Sequence, residues 1–406
     1  MALLPPPPLP RANLIPSRFV ALDGLRAVGA LAVLTTHVGF NSADGINGRY
    51  AGLIGRLDVG VALFFVVSGF LLFRPHVAAH LDGRSRPDTR TYLWRRAVRI
   101  LPVLWVAVAG AWLLLPSTKD PGLYLAHAFL FQIYVPDHHL HGLTQMWSLA
   151  TEVTFYLALP ALAWFLCRGE GDRRWLRRTA TTLAAISLIS PVWMGVTTAM
   201  GYSLPRLWLP GFISWFAAGM ILALWDVGKE RGMLRPGQLD SLAHHTGTCW
   251  ALAAGFFLLA TTPLAGPLDL ASPSTAEVTV KNVLYLLIGA FIVLPCIPRR
   301  ADRDPATSLL AGRVGRVLGD VSYGIFAYHV ILLAMVERWL GLSSFDGEFL
   351  RRLLPTAVLS VLVAAVSYYG MERRLMARSR PGFGGVRGRE SPQPAMSPAS
   401  TRELLR

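Results

Sequence analysis

Apolar residues in this chain gather into long uninterrupted stretches, without the strict alternation that marks a half-buried strand. Ten such stretches lie near positions 22–40, 57–74, 101–116, 145–167, 180–200, 208–226, 248–264, 281–297, 318–340 and 352–370. A helix of roughly 17–25 residues crosses a bilayer, so each stretch reads as a membrane span. A shorter apolar piece at 122–135 is marginal for a crossing and reads as a re-entrant or interfacial excursion. The expected fold is all-α: a polytopic membrane protein with about ten transmembrane helices.

The polar positions between the stretches set the orientation. Arginines collect in four places: 74–99, 168–178, 229–235 with Lys229, and 299–316. The connections 136–144 and 265–280 hold no lysine or arginine. Basic loops stay in the cytoplasm. Ten spans with both termini cytoplasmic satisfy all four loops, whereas counting 122–135 as a further span would place the 168–178 arginines outside. That piece is therefore expected on the outer side. The proline-rich start (1–16) shows no signal-peptide pattern, so the first span is expected to act as an uncleaved anchor. Residues 1–16 and the Gly/Pro/Ser/Arg-rich 376–406 are expected to be disordered tails around one membrane domain at 17–375. No internal repeat or second soluble domain is visible.

Composition supports this picture. Hydrophobic residues make up 53% of 406 and charged residues 16%, against roughly 25% charged in an average soluble domain; the mean hydropathy is +0.44. The net charge of +15 is carried almost wholly by arginine, with only Lys119, Lys229 and Lys281 as lysines. The positive-inside bias accounts for it, and no nucleic-acid-binding module is visible. Cys167, Cys249 and Cys296 are isolated, and no His/Cys cluster offers a metal cage.

Ionisable residues inside spans are costly and mark candidate chemistry. The first span carries Arg26 and, eleven residues on, His37. They share nearly one helix face, about 16 Å apart along the axis. Arg26 can also snorkel or pair with Asp23, and His37 can also serve as a packing hydrogen bond. The second span carries Ser68 before Gly69; without a nucleophile elbow, packing or a supporting hydrogen bond is the better reading. Trp94-Arg95-Arg96-Ala97-Val98-Arg99 precedes the third span, and Arg96 and Arg99 share a face. Arginine forks bind phosphates, so this is a candidate seat for a phosphorylated cofactor, or ordinary cytoplasmic charge. Another span opens with Trp147, Thr151, Glu152, Phe155 and Tyr156. Glu152 can orient a hydroxyl, assist an imidazole or form a structural ion pair. Ser322, Tyr323 and His329 open a late span; His329 reads as a cavity contact or as packing. Glu372-Arg373-Arg374 closes the last span at the cytoplasmic surface.

Together and in order, these segments resemble the acyltransferase-3 family of integral membrane O-acyltransferases, from about Phe19 to Arg374. The pieces are Leu22-Asp-Gly-Leu-Arg26 with His37, Leu63-Phe-Phe-Val-Val-Ser68-Gly-Phe70, and Arg95-Arg96-Ala-Val-Arg99-Ile-Leu-Pro102. Trp147-Ser148-Leu149, Glu152, Phe155-Tyr156 and Pro160 follow, then Ser322-Tyr323 and His329. The resemblance implies transfer of an acyl group, often acetyl, from acyl-coenzyme A to a hydroxyl. The acceptors of such a family include cell-envelope glycans, lipid-linked sugars and glycosylated antibiotics such as macrolides. It implies Arg26 and His37 as the catalytic pair, with Glu152 as an acceptor-side residue. Arg96 and Arg99 are implied as contacts for coenzyme A phosphates. Ser68, Trp147, Tyr323 and His329 are implied as substrate contacts, and no metal is implied. Two features depart from the family pattern. Val153 and Thr154 stand where many relatives carry a second Glu and a Gln. The periplasmic esterase-like domain of many polysaccharide-modifying relatives is not seen, as in compact members that act in antibiotic biosynthesis or on glycolipids. The competing class is a secondary transporter, which ten spans with buried charge would also suit.

Overall fold

The computed structural model describes residues 19–115, 120–136, 139–298 and 304–379. The expected tail 1–16, and the expected tail 376–406 beyond Ser379, lie outside the described residues. The described chain is helical, with no strand among the described residues.

The principal helices are α1 (Val20–Ser42), α2 (Gly60–Leu81), α3 (Thr89–Leu114), the short α4 (Pro121–Ala128) and α5 (Met146–Leu166). They continue with α6 (Arg173–Ser187), α7 (Ile189–Ala199), α8 (Ile213–Glu230), α9 (Thr246–Ala260), α10 (Thr275–Val293), α11 (Arg313–Leu340) and α12 (Phe349–Ser367). Helix α2 is entered through Ala51–Gly55 and a 3₁₀ turn at Arg56–Val59, and α12 leaves through a π-helical turn at Tyr368–Glu372. Among the described residues, eight helical segments are long and apolar enough to cross a membrane.

All ten expected stretches form helix. The two outside the eight are α8, whose last turn carries Asp226, Lys229 and Glu230, and α9, an apolar helix of 15 residues. The stretch at 180–200 is interrupted at Leu188, between α6 and α7. Pro191 lacks the N–H that would bond the Ser187 carbonyl, so the ladder breaks there. The apolar piece 122–135 becomes α4, capped by Asp120, and a turn at Gln132–Tyr134. Eight helical residues rise only about 12 Å, too little to cross.

Helix α2 packs most extensively on α8, α1 on α11, and α11 on α12. Where α1 crosses α2 and α2 crosses α8, the contacts are backbone to backbone. A Cβ at Gly60 would meet the Gly29 carbonyl, one at Gly69 the Phe216 carbonyl, and one at Gly219 the Val66 carbonyl. Small residues are what let membrane helices approach this closely.

Ion pairs pin the loops at both ends. At the arginine-rich end Arg74 reaches Asp226 and Glu230, each at 2.6 Å, and Arg231 reaches Asp82 at 2.6 Å. The Arg231 guanidinium, followed by Arg84, holds the Asp82 carboxyl down at about 2. At the opposite end Arg352 is wholly buried, 2.9 Å from Glu337, and also donates to the Gly347 and Ser343 carbonyls.

Candidate active site

Among the described residues, two cavities in the bundle hold the expected site residues. The first, about 80 Å³, is lined by Arg26 on α1, Ser68 on α2, Arg96 and Arg99 on α3, Glu152 and Tyr156 on α5, and Tyr323 on α11. Its three arginines make no hydrogen bond or ion pair among the described residues, and Arg26 and Arg96 stand near enough to act electrostatically on Arg99. The Arg96 guanidinium carbon is 5.4 Å from the Tyr156 ring centre. Guanidinium groups without a hydrogen-bonded partner in a confined space leave their donors available to an anion.

One carboxylate faces them. Glu152 Oε1 accepts the Ser68 hydroxyl and, at 2.6 Å, the Tyr156 hydroxyl. Ser68 is therefore spent as a donor to Glu152, the supporting hydrogen bond that the missing nucleophile elbow suggested. Glu152 and Tyr156 are four apart and so lie on one helix face, and Tyr92 donates to the Tyr156 carbonyl at 3.2 Å. Tyr323 donates to the Ile100 carbonyl at 2.9 Å, tying α11 to α3 behind the arginines.

The second cavity, about 740 Å³, opens at the arginine-poor end. His37 on α1 and Trp147 on α5 line it, together with Gln132, Gln145 and an ion pair between Lys281 and Asp58 at 2.8 Å. The His37 tautomer follows from its neighbours. Nδ1 lies 2.8 Å from the Val33 carbonyl, which can only accept, so Nδ1 carries the proton. The Nδ1 of His329 likewise donates to the Phe326 carbonyl at 2.8 Å, which leaves its Nε2 as an acceptor 3.3 Å from His37 Nδ1. The His37 N–H is thus shared between Val33 and His329. In the neutral ring the His37 Nε2 is then the unprotonated nitrogen, and it makes no hydrogen bond among the described residues.

Both cavities are walled by Val61, Ser148 and Phe326. Those three side chains stand between the arginines and the imidazole.

The expected site residues therefore divide. Arg26, Ser68, Arg96, Arg99, Glu152 and Tyr323 line the first cavity, and His37 and Trp147 the second. Arg26 and His37, expected as a pair, sit in different cavities because eleven residues of helix separate them. Glu152 lies with the arginines. His329 lines neither cavity; it is 0% exposed, packed behind His37. Glu372, read as a surface terminator, is 4% exposed and accepts from Ser367 at 3.0 Å; the π-helical turn rotates it inward. Sequence reasoning singled out neither the two glutamines nor the Lys281–Asp58 pair. A lone lysine opening an apolar span, in a chain that otherwise uses arginine, was the available signal.

These features define a class: a multi-pass membrane protein hollowed from both ends, with a cationic cavity and a histidine cavity set back to back. The chain belongs to the acyltransferase-3 family, whose model, described as an acyltransferase domain, matches residues 19–371. It is 26% identical over 386 residues to a putative peptidoglycan O-acetyltransferase, YrhL, of Bacillus subtilis, covering 89% of this chain and 55% of the relative. It is 26% identical to the peptidoglycan O-acetyltransferase OatA of Listeria monocytogenes, covering 87% of this chain and 55% of the relative. It is 24% identical to nodulation protein 10 of Rhizobium leguminosarum, covering 77% of this chain and 82% of the relative. The chain thus spans about half the length of the two peptidoglycan-named relatives. No solved structure matches.

Proposed function

We propose that the chain is an O-acyltransferase that moves an acyl group, acetyl in the simplest case, from acyl-coenzyme A to a hydroxyl of a saccharide. The observation that carries this reading is the placement of His37, whose Nδ1 is engaged by the Val33 carbonyl and whose ring lines the larger cavity, backed by a cavity of unpaired arginines. In this reading the arginine-rich end is cytoplasmic, both termini are cytoplasmic, and donor phosphates bind Arg26, Arg96 and Arg99. The acceptor enters the second cavity from outside. His37 Nε2 takes the proton of the attacking hydroxyl as its oxygen bonds the thioester carbon. The C–S bond then breaks, the proton passes to the departing sulfur, and coenzyme A leaves as free thiol. General-base help of this kind is worth roughly 10²–10⁴-fold. Val61, Ser148 and Phe326 mark where the acyl group must cross. Family membership supports the transfer chemistry. The relatives' names support an envelope glycan as acceptor, and a macrolide glycoside would offer the same hydroxyl.

The test is thiol release by purified protein in detergent, given acetyl-coenzyme A and a panel of glycan fragments and macrolide glycosides. Acceptor-dependent release that disappears in His37→Ala is expected. Full activity in that variant would remove the base assignment. Absence of release with every acyl-coenzyme A, from folded protein, would favour transport.

A further inference from the structure

Two glutamines in the outer cavity have no place in the scheme above. Gln132 and Gln145 both line that cavity, and each is 1% exposed. Gln132 donates its amide N–H to the Met146 carbonyl at 2.9 Å, and Gln145 donates to the Ala327 carbonyl at 2.9 Å. A carbonyl can only accept, so each amide is fixed with nitrogen toward the backbone and oxygen away. Both Oε1 atoms are buried without a hydrogen-bond partner. Burying one unpaired carbonyl oxygen is costly, and two in one cavity ask for a donor. Gln145 is also set in register with the base. Its anchor, Ala327, adjoins Phe326, whose carbonyl holds His329, which in turn contacts His37.

The charges around them narrow the ligand. The charged residues lining the cavity are Arg56, Lys281, Asp58 and Asp269, two of each sign. Lys281 is paired with Asp58, and Arg56 donates to the Ala260 and Gly266 carbonyls. The formal charges of the wall therefore sum to zero, and both cations already have donors engaged within the protein, which leaves little to attract a phosphate or carboxylate. The wall offers two oriented acceptors and the Trp147 indole, which suits a neutral ring bearing adjacent hydroxyls.

Resting on the saccharide-acceptor reading, we propose that Gln132 and Gln145 form a hydroxyl-recognition subsite for a neutral sugar ring. Their oxygens accept from hydroxyls flanking the one that His37 deprotonates. They are positioning residues, and they select an uncharged sugar.

Binding measured without donor keeps this test independent of the acyl source. Methyl β-glucopyranoside, its monodeoxy derivatives and the methyl glucuronide anion are titrated against the full chain in detergent. The neutral glucoside is expected to bind best, with at least one deoxy derivative about tenfold weaker. Gln145→Leu should weaken the parent about tenfold yet leave that deoxy derivative's affinity unchanged, because the interaction is already gone. Gln132→Leu should do the same toward a second hydroxyl. Equal losses for the parent and every deoxy derivative would reduce the glutamines to structural struts and overturn the proposal. So would tighter binding of the glucuronide, or no glucoside binding by folded wild type. The deoxy series on wild-type protein stands as a test even where a variant fails to fold. Thiol release lost with binding intact would fault the donor reading instead.

Discussion

At the scale of single residues, the imidazole of His37 is useful only because its neighbours decide which nitrogen holds the proton. Val33 supplies the fixed acceptor, and His329 supplies a second one from another helix. His329 is thus predicted to act on rate rather than on affinity. His329→Leu should lower kcat about 10- to 100-fold, the scale of a small misplacement of a catalytic group, with the acceptor KM little changed. His329→Gln, which can present an oxygen in the same direction, should recover part of the loss. Steady-state kinetics of the three proteins decide it, and a KM effect with kcat intact would assign His329 to binding. Sequence spacing placed His329 on the right helix and on a polar face. It gave no sign that the face would be filled by another imidazole, because that partner is 292 residues away.

At the scale of elements, the helices were the most legible feature, because a bilayer leaves an apolar stretch few alternatives to helix. What remained hidden depended on how helices meet. Glu152 was read from its place in a span and Tyr156 lies four residues on along the same helix, yet its other partner, Ser68, becomes visible only once α2 lies against α5. The glutamines sit where helical segments begin, and Lys281 two turns into α10, where hydropathy carries no information about facing. The α2–α8 crossing makes a prediction at this level. A side chain at Gly69 would drive into the Phe216 carbonyl, one residue from Ser68 in the cavity wall. Gly69→Leu should cost about 1–3 kcal/mol or more and should lower the thermal midpoint in detergent. Gly370→Leu, at a position with nothing within 4 Å of an added Cβ, should not. The loop ion pairs predict a pH effect. Asp82 titrates near 2 in the folded protein against 3.8 ordinarily, so its pairing stabilises fully above about 4 and is lost as pH falls through 2. Thermal midpoints measured from pH 6 to pH 2 should fall less steeply in Asp82→Asn than in the parent.

At the scale of the whole molecule, the two cavities nearly meet. A protein hollowed from both faces is one short step from being a pore, and Val61, Ser148 and Phe326 are what close it. Those side chains act as electrical insulation as well as a passage for an acyl group. A resting potential of 100 mV works on a crossing proton with about 2.3 kcal/mol, so a group-transfer device with a loose septum would short-circuit the membrane that houses it. Trimming the septum is therefore predicted to uncouple the cell: Phe326→Ala in sealed liposomes should dissipate an imposed pH gradient faster than the parent, as read by an entrapped pH-sensitive dye. Selection on Phe326 would then come from bioenergetics as much as from catalysis, and its tolerance to change would track the size of the potential across the membrane rather than the identity of the substrate.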